Sequence, residues 1–317
     1  MFFQTAGIEV SPFIPPLVAF IISFCTSMGG VSGAFLLLPF QVSVLGYTNP
    51  SVSATNQVFN IVAIPSGVYR YWKEGRMVWP MTAIIIAGTL PGVFIGAYAR
   101  VAYLPDPKNF QLFAGFILLY IGIKMVVDRL KKPVENDKSC VNKSFQEMLD
   151  KQKETSDKGD ENSSLSLKVK VTHFSLKRLS YVFYGETFSI SFWSLFTLSF
   201  IIGIVGGTYG IGGGAIIAPF LITSFGLPVY TVAGPALMGT CVTSVAGVTF
   251  YHIIAPFYPE MSIAPDWFLG VLFGIGGMAG IYCGARCQKY VPSTAIKWML
   301  AIIIVSIGIK YIYGFFI

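Results

Sequence analysis

The chain has 317 residues, of which 54% are hydrophobic and only 12% charged, where soluble domains carry about a quarter, so the composition excludes an ordinary soluble globule. The net charge of +7 does not point to nucleic acid, because 20 of the Lys, Arg, Asp and Glu residues fall between Arg129 and Arg178 and describe one loop. In chain order, apolar runs cover 13–45, 52–69, 78–103 and 110–127, then 192–225, 229–254, 267–285 and 295–316. Most approach or exceed the roughly 20 residues that cross a hydrocarbon core. The first run has no basic residue before it and outlasts a signal-peptide core, so it is expected to stay in the mature chain.

Between the two sets lies a stretch rich in Lys, Glu, Asp, Ser and Asn, with too little apolar surface to offset its ordering entropy. The expected organisation is a first transmembrane repeat over 1–130, a charged, disordered cytoplasmic linker over 131–185, and a second transmembrane repeat over 186–317. A shift of 180 superposes Gly30 on Gly210, Gly33 on Gly213, Pro39 on Pro219, Gly46 on Gly226, Gly67 on Gly247 and Tyr71 on Tyr251. Further on, a shift of 188 sets Gly88, Gly92 and Gly96 on Gly276, Gly280 and Gly284. This is internal duplication, and glycines at every fourth position leave a flat strip along which two helix backbones can approach.

Each copy opens with an apolar run interrupted by glycines, SMGGVSGAFLLLPF at 27–40 and TYGIGGGAIIAPF at 208–220. Unbroken, the run 13–45 would make a helix of about 50 Å, too long for the bilayer, and split at the glycines it gives pieces of about 20 Å. Either each run is one long kinked crossing, giving parallel repeats, or it enters and returns, giving three further spans per half and an inverted second copy. Arg70, Lys73 and Arg76 flank the short loop of the first copy, whereas its counterpart at 253–264 has no Lys or Arg, and Arg286 and Lys289 mark the next loop instead. That reversal favours inversion, with both termini outside. The fold class expected is an all-α polytopic membrane protein of two homologous, inverted halves, each with a glycine-broken, re-entrant or discontinuous segment plus three transmembrane helices.

Irregular backbone at membrane depth is tolerated where it lines a cavity, and the helices that resume near Gly33 and Gly214 present free N–H groups and a positive dipole end, which suits an anion. The candidate substrate-binding residues are Gly29, Gly30, Ser32 and Gly33 at the first break, and Thr208, Gly210, Gly212, Gly213 and Gly214 at the second. Asn56, Gln57 and Asn60 add amides on one face of the next helix, and Thr240 and Thr243 add hydroxyls from the second copy. The same glycines and polar residues also serve plain helix packing and interhelical hydrogen bonding.

Other chemistry is not signalled. No Lys-Ser or Lys-Thr follows the glycines, so a nucleotide loop is excluded. Cys283 and Cys287 could share a helix face, but with no His or carboxylate beside them they are expected to pack as small apolar residues, with neither a metal nor a cofactor. The spans carry no central Asp, Glu or His for a proton relay, and no catalytic nucleophile set for an enzyme. The expected partners are a small inorganic or organic anion and the lipid bilayer; oligomeric state is not encoded legibly.

The glycine breaks followed by an apolar half-helix and proline (GGVSGAFLLLP and GIGGGAIIAP), the stretch SATNQ, the turn YRYWKEGRM and the motif GTLPGVFIGA together resemble the sulfite exporter TauE/SafE family of prokaryotic membrane transporters. The resemblance covers nearly the whole chain outside the linker. It implies a secondary transporter or facilitator that moves a small sulfur oxyanion or organosulfonate, sulfite-like, across the cytoplasmic membrane by alternating access, in the direction of export. A channel-like anion pore, or an uptake permease for sulfonates or another small anion, would use the same cavity. The second copy has Gly234-Pro235-Ala236 where the first has Ala54-Thr55-Asn56, which argues against equal contributions of the halves to one site.

Overall fold

A computed structural model describes residues 1–29, 32–73, 75–130, 169–183, 185–287 and 293–316. The fold is mostly helical. A short hairpin, β1 (Phe2–Phe3) and β2 (Ile8–Glu9), precedes α1 (Ile14–Gly29), α2 (Ala34–Ser43), α3 (Ser51–Lys73), α4 (Trp79–Ala102) and α5 (Pro107–Leu130). Three strands follow, β3 (Lys170–Phe174), β4 (Arg178–Phe183) and β5 (Glu186–Ser191). The second helical set is α6 (Phe192–Tyr209), α7 (Gly213–Ser224), α8 (Val229–Ile254), α9 (Trp267–Cys287) and α10 (Ser293–Phe316). The two sets match element for element under the shifts read from the sequence.

Among the described residues, four stretches are long and apolar enough to cross a membrane: Trp79–Ala102, Phe192–Tyr209, Tyr230–Phe257 and Trp267–Gly284. α3 is not among them, because its first three turns carry Ser51, Ser53, Thr55, Asn56, Gln57 and Asn60. All six are fully buried, so α3 is shielded by other helices rather than by lipid.

Helix direction follows from what each glycine faces. On α4, Gly88 meets Phe196 and Ser199, Gly92 meets Phe200, and Gly96 meets Ile204 and Thr208, so α4 and α6 run parallel with backbones in contact. The equivalent seam of the other copy pairs Gly276 with Pro16, Gly280 with Phe20 and Gly284 with Phe24, making α9 parallel to α1. Each copy thus packs its first helix against the fourth helix of the other. By contrast α3 and its counterpart α8 are antiparallel, since Gln57 faces Gly247 while Gly67 faces Leu237. α5 and α10 are antiparallel as well, Gly115 lying on Tyr311 and Gly122 on Val305.

The expectation of an all-α protein with disorder from 131 to 185 needs correction at the end of that stretch. Residues 170–174 and 178–183 are strands, and β3, β4 and β5 form an antiparallel meander. Its signal was local: Leu179, Tyr181 and Phe183, then Phe188 and Ile190, alternate with exposed or half-buried residues and give the sheet one buried face, a period of two that the charged composition of the whole stretch conceals. The remainder of the linker, 131–168, lies outside the described residues.

The two sheets occupy equivalent positions. The N-terminal hairpin lies on the start of α3, where the Ser51 hydroxyl donates to Thr5 O (3.5 Å), the Ala6 N–H donates to Asp266 Oδ2 (3.4 Å) and Phe3 stacks on Phe268. The meander lies on the start of α8, where the Tyr181 and Thr231 hydroxyls are 2.9 Å apart. Ser51 and Thr231 are partners under the shift of 180, and because α3 and α8 are antiparallel the sheets cover opposite ends of the bundle. Thr231→Val is expected to loosen the meander by about 1 kcal/mol, the net worth of one buried hydrogen bond. Hydrogen exchange should then accelerate across 178–191 and stay unchanged in β1–β2; equal protection of both sheets would contradict the assignment.

Candidate functional site

The two glycine segments converge on α3. The first helix of the second copy ends at Tyr209, and Gly210 (φ 81°) and Gly212 (φ 75°) turn the chain in the left-handed region before α7 begins at Gly213. A side chain would be strained at both turns, and at Gly210 it would also strike the Ser53 backbone. In the first copy α1 ends at Gly29 and α2 begins at Ala34 behind Gly33, an ordinary helical residue at φ −58°. Gly30 lies outside the described residues.

Two amides on one face of α3 join these segments. Asn56 Nδ2 donates to Ala34 O (3.1 Å) and to Gly210 O (3.0 Å), and its Oδ1 accepts from Gln41 Nε2 (3.4 Å). One turn on, Asn60 Nδ2 donates to Ile211 O (2.9 Å) and to Ser244 Oγ (3.3 Å), while its Oδ1 accepts from the Ser32 hydroxyl (3.4 Å). The Ser32 oxygen in turn accepts the Ala34 N–H at 3.4 Å. The Tyr209 hydroxyl closes the group from the other side, donating to Phe35 O at 3.5 Å.

Ser32, Gly33, Asn56, Asn60, Gly210 and Gly212 are therefore brought together, with Gly214 and Thr240 beside them: Gly212 rests on Thr240 and Ser244, and Gly214 on Ala236 and Thr240. Gly213 turns toward Thr89 and Gly203. The three threonine hydroxyls expected to face a ligand donate instead to carbonyls of their own helices, Thr208 to Ile204 O, Thr240 to Ala236 O and Thr243 to Gly239 O. Asn56 and Asn60 likewise use their amide hydrogens on the breaks themselves. The two asparagines hold the irregular backbone in place, since a buried carbonyl without a donor costs about 1–3 kcal/mol.

With those carbonyls tied to α3, and the Gly210 and Ile211 N–H groups both donating to Gly206 O, what remains on offer is the positive ends of α2 and α7. The buried polar atoms without a hydrogen-bond partner include Ser23 Oγ, Ser53 Oγ, Gln41 Oε1 and both amide atoms of Gln57. Ser23 faces Gly33 at the start of α2, and Ser53 faces Gly210. Gln57 is the one expected side-chain donor among the three amides that is unengaged. Sequence reasoning underrated Ser23 and Gln41, because a lone Ser or Gln in an apolar run carries no spacing that separates it from packing, whereas Ser53 stands one turn before Gln57 on the polar face of α3.

Arg100, near the end of a span in the sequence, is fully buried on the last turn of α4, with its Nε among the unpartnered atoms. The signal was present: Arg100 continues the glycine face of Gly88, Gly92 and Gly96, the face pressed on α6.

Comparison with known proteins points to a membrane transporter. The family described as sulfite exporter TauE/SafE matches residues 16–311. A probable membrane transporter protein of Bacillus subtilis, YunE, is 20% identical over 296 residues, covering 90% of this chain and 92% of its own. A probable membrane transporter protein of Xylella fastidiosa (strain 9a5c) is 24% identical over 267 residues, 82% of this chain and 78% of its own. No solved structure matches.

Proposed function

Because the chain belongs to the sulfite exporter TauE/SafE family, whose members are membrane transporters and not enzymes, we propose that it exports a small sulfur oxyanion or organosulfonate across the cytoplasmic membrane by alternating access. The observation that carries this reading is the pair of amides, Asn56 and Asn60, that seats both glycine breaks at one place inside the bundle. Two short helices then begin side by side, and their combined N–H groups hold an oxyanion without a metal.

Inverted repeats are supported by the antiparallel pairs α3 with α8 and α5 with α10. In a bilayer, an element and its duplicate that run in opposite directions have opposite topology. Because α1 and α3 both run parallel to α9, the chain returns between them, as a re-entrant α1–α2 hairpin requires: Gly270 lies on Val58 and Gly274 on Val62, alongside the α1 seam already described. The sheets over the starts of α3 and α8 then act as covers on opposite sides of the membrane, one shut while the other opens.

Efflux of a dianion is downhill across a membrane with a negative interior, by about 2.3 kcal/mol per charge per 100 mV. In proteoliposomes loaded with sulfite, efflux is therefore expected to saturate with substrate and to accelerate when the interior is made negative. Flux that ignores both anion identity and membrane potential would contradict the proposal, and flux without saturation would point to an open pore.

A further inference from the structure

Arg100 has no role in the arrangement so far, and it is an expensive residue to bury. Its exposure is 0%, and among the described residues no carboxylate is paired with it. A guanidinium stays charged at any physiological pH, so the burial must be compensated by its neighbours. Those neighbours are the carbonyls of Leu104 and Thr48, the latter at 3.4 Å, and the face of Phe110, 3.8 Å from the guanidinium carbon. Its Nε–H meets nothing. Two carbonyls and a ring account for the shape of the pocket but leave the charge without a counter-ion.

The position is close to the second glycine break. Gly96, one turn earlier on α4, touches Ile204 and Thr208, so the next turn reaches the chain where α6 ends. Phe110, under the guanidinium, packs on Tyr209 with ring centres 6.3 Å apart. Tyr251 donates to Gly207 O at 3.3 Å from the other side, with its hydroxyl near both Arg100 and Ser53. Gln57, one turn beyond Ser53 on α3, has neither amide atom engaged. Arg100, Ser53 and Gln57 thus form a row of buried, incompletely bonded polar groups from the end of α4 along the first two turns of α3.

The row exists in one copy only. Under the shifts of 180 and 188 the counterparts of Ser53, Gln57 and Arg100 are Ala233, Leu237 and Gln288. A packing role common to both halves would not require the charge and the free donors on the same side.

We propose that Arg100 is the charged member of an anion subsite beside the second glycine break, with Ser53 and Gln57 as its uncharged donors, and that the subsite takes a sulfite-like oxyanion carrying one or two negative charges. The inference rests on the transporter reading and goes beyond it, since it moves the binding charge from helix termini alone to a guanidinium in the first copy. A small oxyanion with two or three acceptor oxygens matches the planar set of N–H donors, and it supplies the missing counter-ion.

The test uses the full chain purified and reconstituted, with sulfite as substrate, and compares the parent protein with Arg100→Gln, Arg100→Lys and Ser53→Ala. Arg100→Gln should raise KM for sulfite at least tenfold with a much smaller change in maximal rate, Arg100→Lys should fall between, and Ser53→Ala should raise KM several-fold. A KM within twofold of the parent for Arg100→Gln would overturn the inference. If that variant does not fold, unchanged KM values for both Arg100→Lys and Ser53→Ala overturn it equally. A parent protein that transports none of sulfite, thiosulfate and a sulfonate sinks the transporter reading itself, and the subsite with it, which is a different result from normal transport with an indifferent Arg100.

Discussion

Gly96→Ala is expected to abolish recovery of folded protein from the membrane. A methyl group on Gly96 would overlap Ile204 O and stand 2.7 Å from the Thr208 amide nitrogen, both backbone atoms of α6. Neither can rotate aside, so α4 and α6 would have to separate along the seam that joins the two copies. Lipid supplies no hydrophobic drive to hold the helices together at a greater distance, because membrane helices associate through close contact. Gly314→Ala is the matched control. It also lies in a helix, nothing comes within 4 Å of its added carbon, and alanine is the better helix former by about 1 kcal/mol. Size-exclusion profiles and thermal melting in detergent should show Gly314→Ala at or above the parent and Gly96→Ala aggregated. A monodisperse Gly96→Ala with a parental melting temperature would mean that the seam is looser than these contacts require. Gly33→Ala falls between them, since its methyl group would meet only side chains, the Ser23 hydroxyl at 2.5 Å and Phe59 at 3.3 Å.

Asn56→Leu is expected to lower transport at least tenfold and to lower thermal stability as well. Leucine nearly matches the shape but removes the donors to Ala34 O and Gly210 O and the acceptor for Gln41. Each buried group left without its partner costs about 1–3 kcal/mol in soluble proteins, and membrane values lie nearer the lower figure. The larger consequence is geometric: with the amide gone, the direct tie from α3 to the start of α2 and the turn at Gly210 is lost, leaving Asn60 to link Ser32 and Ile211. Thr240→Val offers the comparison. It loses only a hydroxyl that donates to Ala236 O on its own helix, whose carbonyl is also used by the helical ladder, so transport should stay within about twofold of the parent. Equal losses for the two variants, measured as initial flux at matched protein content, would show that α3 does not organise the breaks.

The duplication, the two sets of helices and the membrane setting were legible in the sequence, because each is carried by a repeating pattern of residue types: glycines at fixed offsets and apolar runs of helical length. The polar face of α3 was legible too, since Asn56 and Asn60 stand one turn apart. What those side chains do was not. A spacing says that two amides share a face, and it cannot say whether their hydrogens go to a ligand or to the carbonyls at 34, 210 and 211. The strands at 170–183 were hidden by averaging, because six alternating residues carry little weight in a long charged stretch.

Arg100 marks the boundary between what the order of residues determines and what only the folded chain decides. By itself the sequence determined a duplicated membrane protein with two irregular segments, because periodicity and glycine content act over a few residues along one chain. The tertiary structure alone decided that both segments meet on a single helix, that equivalent helices run in opposite directions, and that one arginine turns inward. Burial and hydrogen-bond partnership are properties of residues far apart in the chain, as with Asn56 and Gly210, and no local pattern records which distant group fills the space beside a side chain.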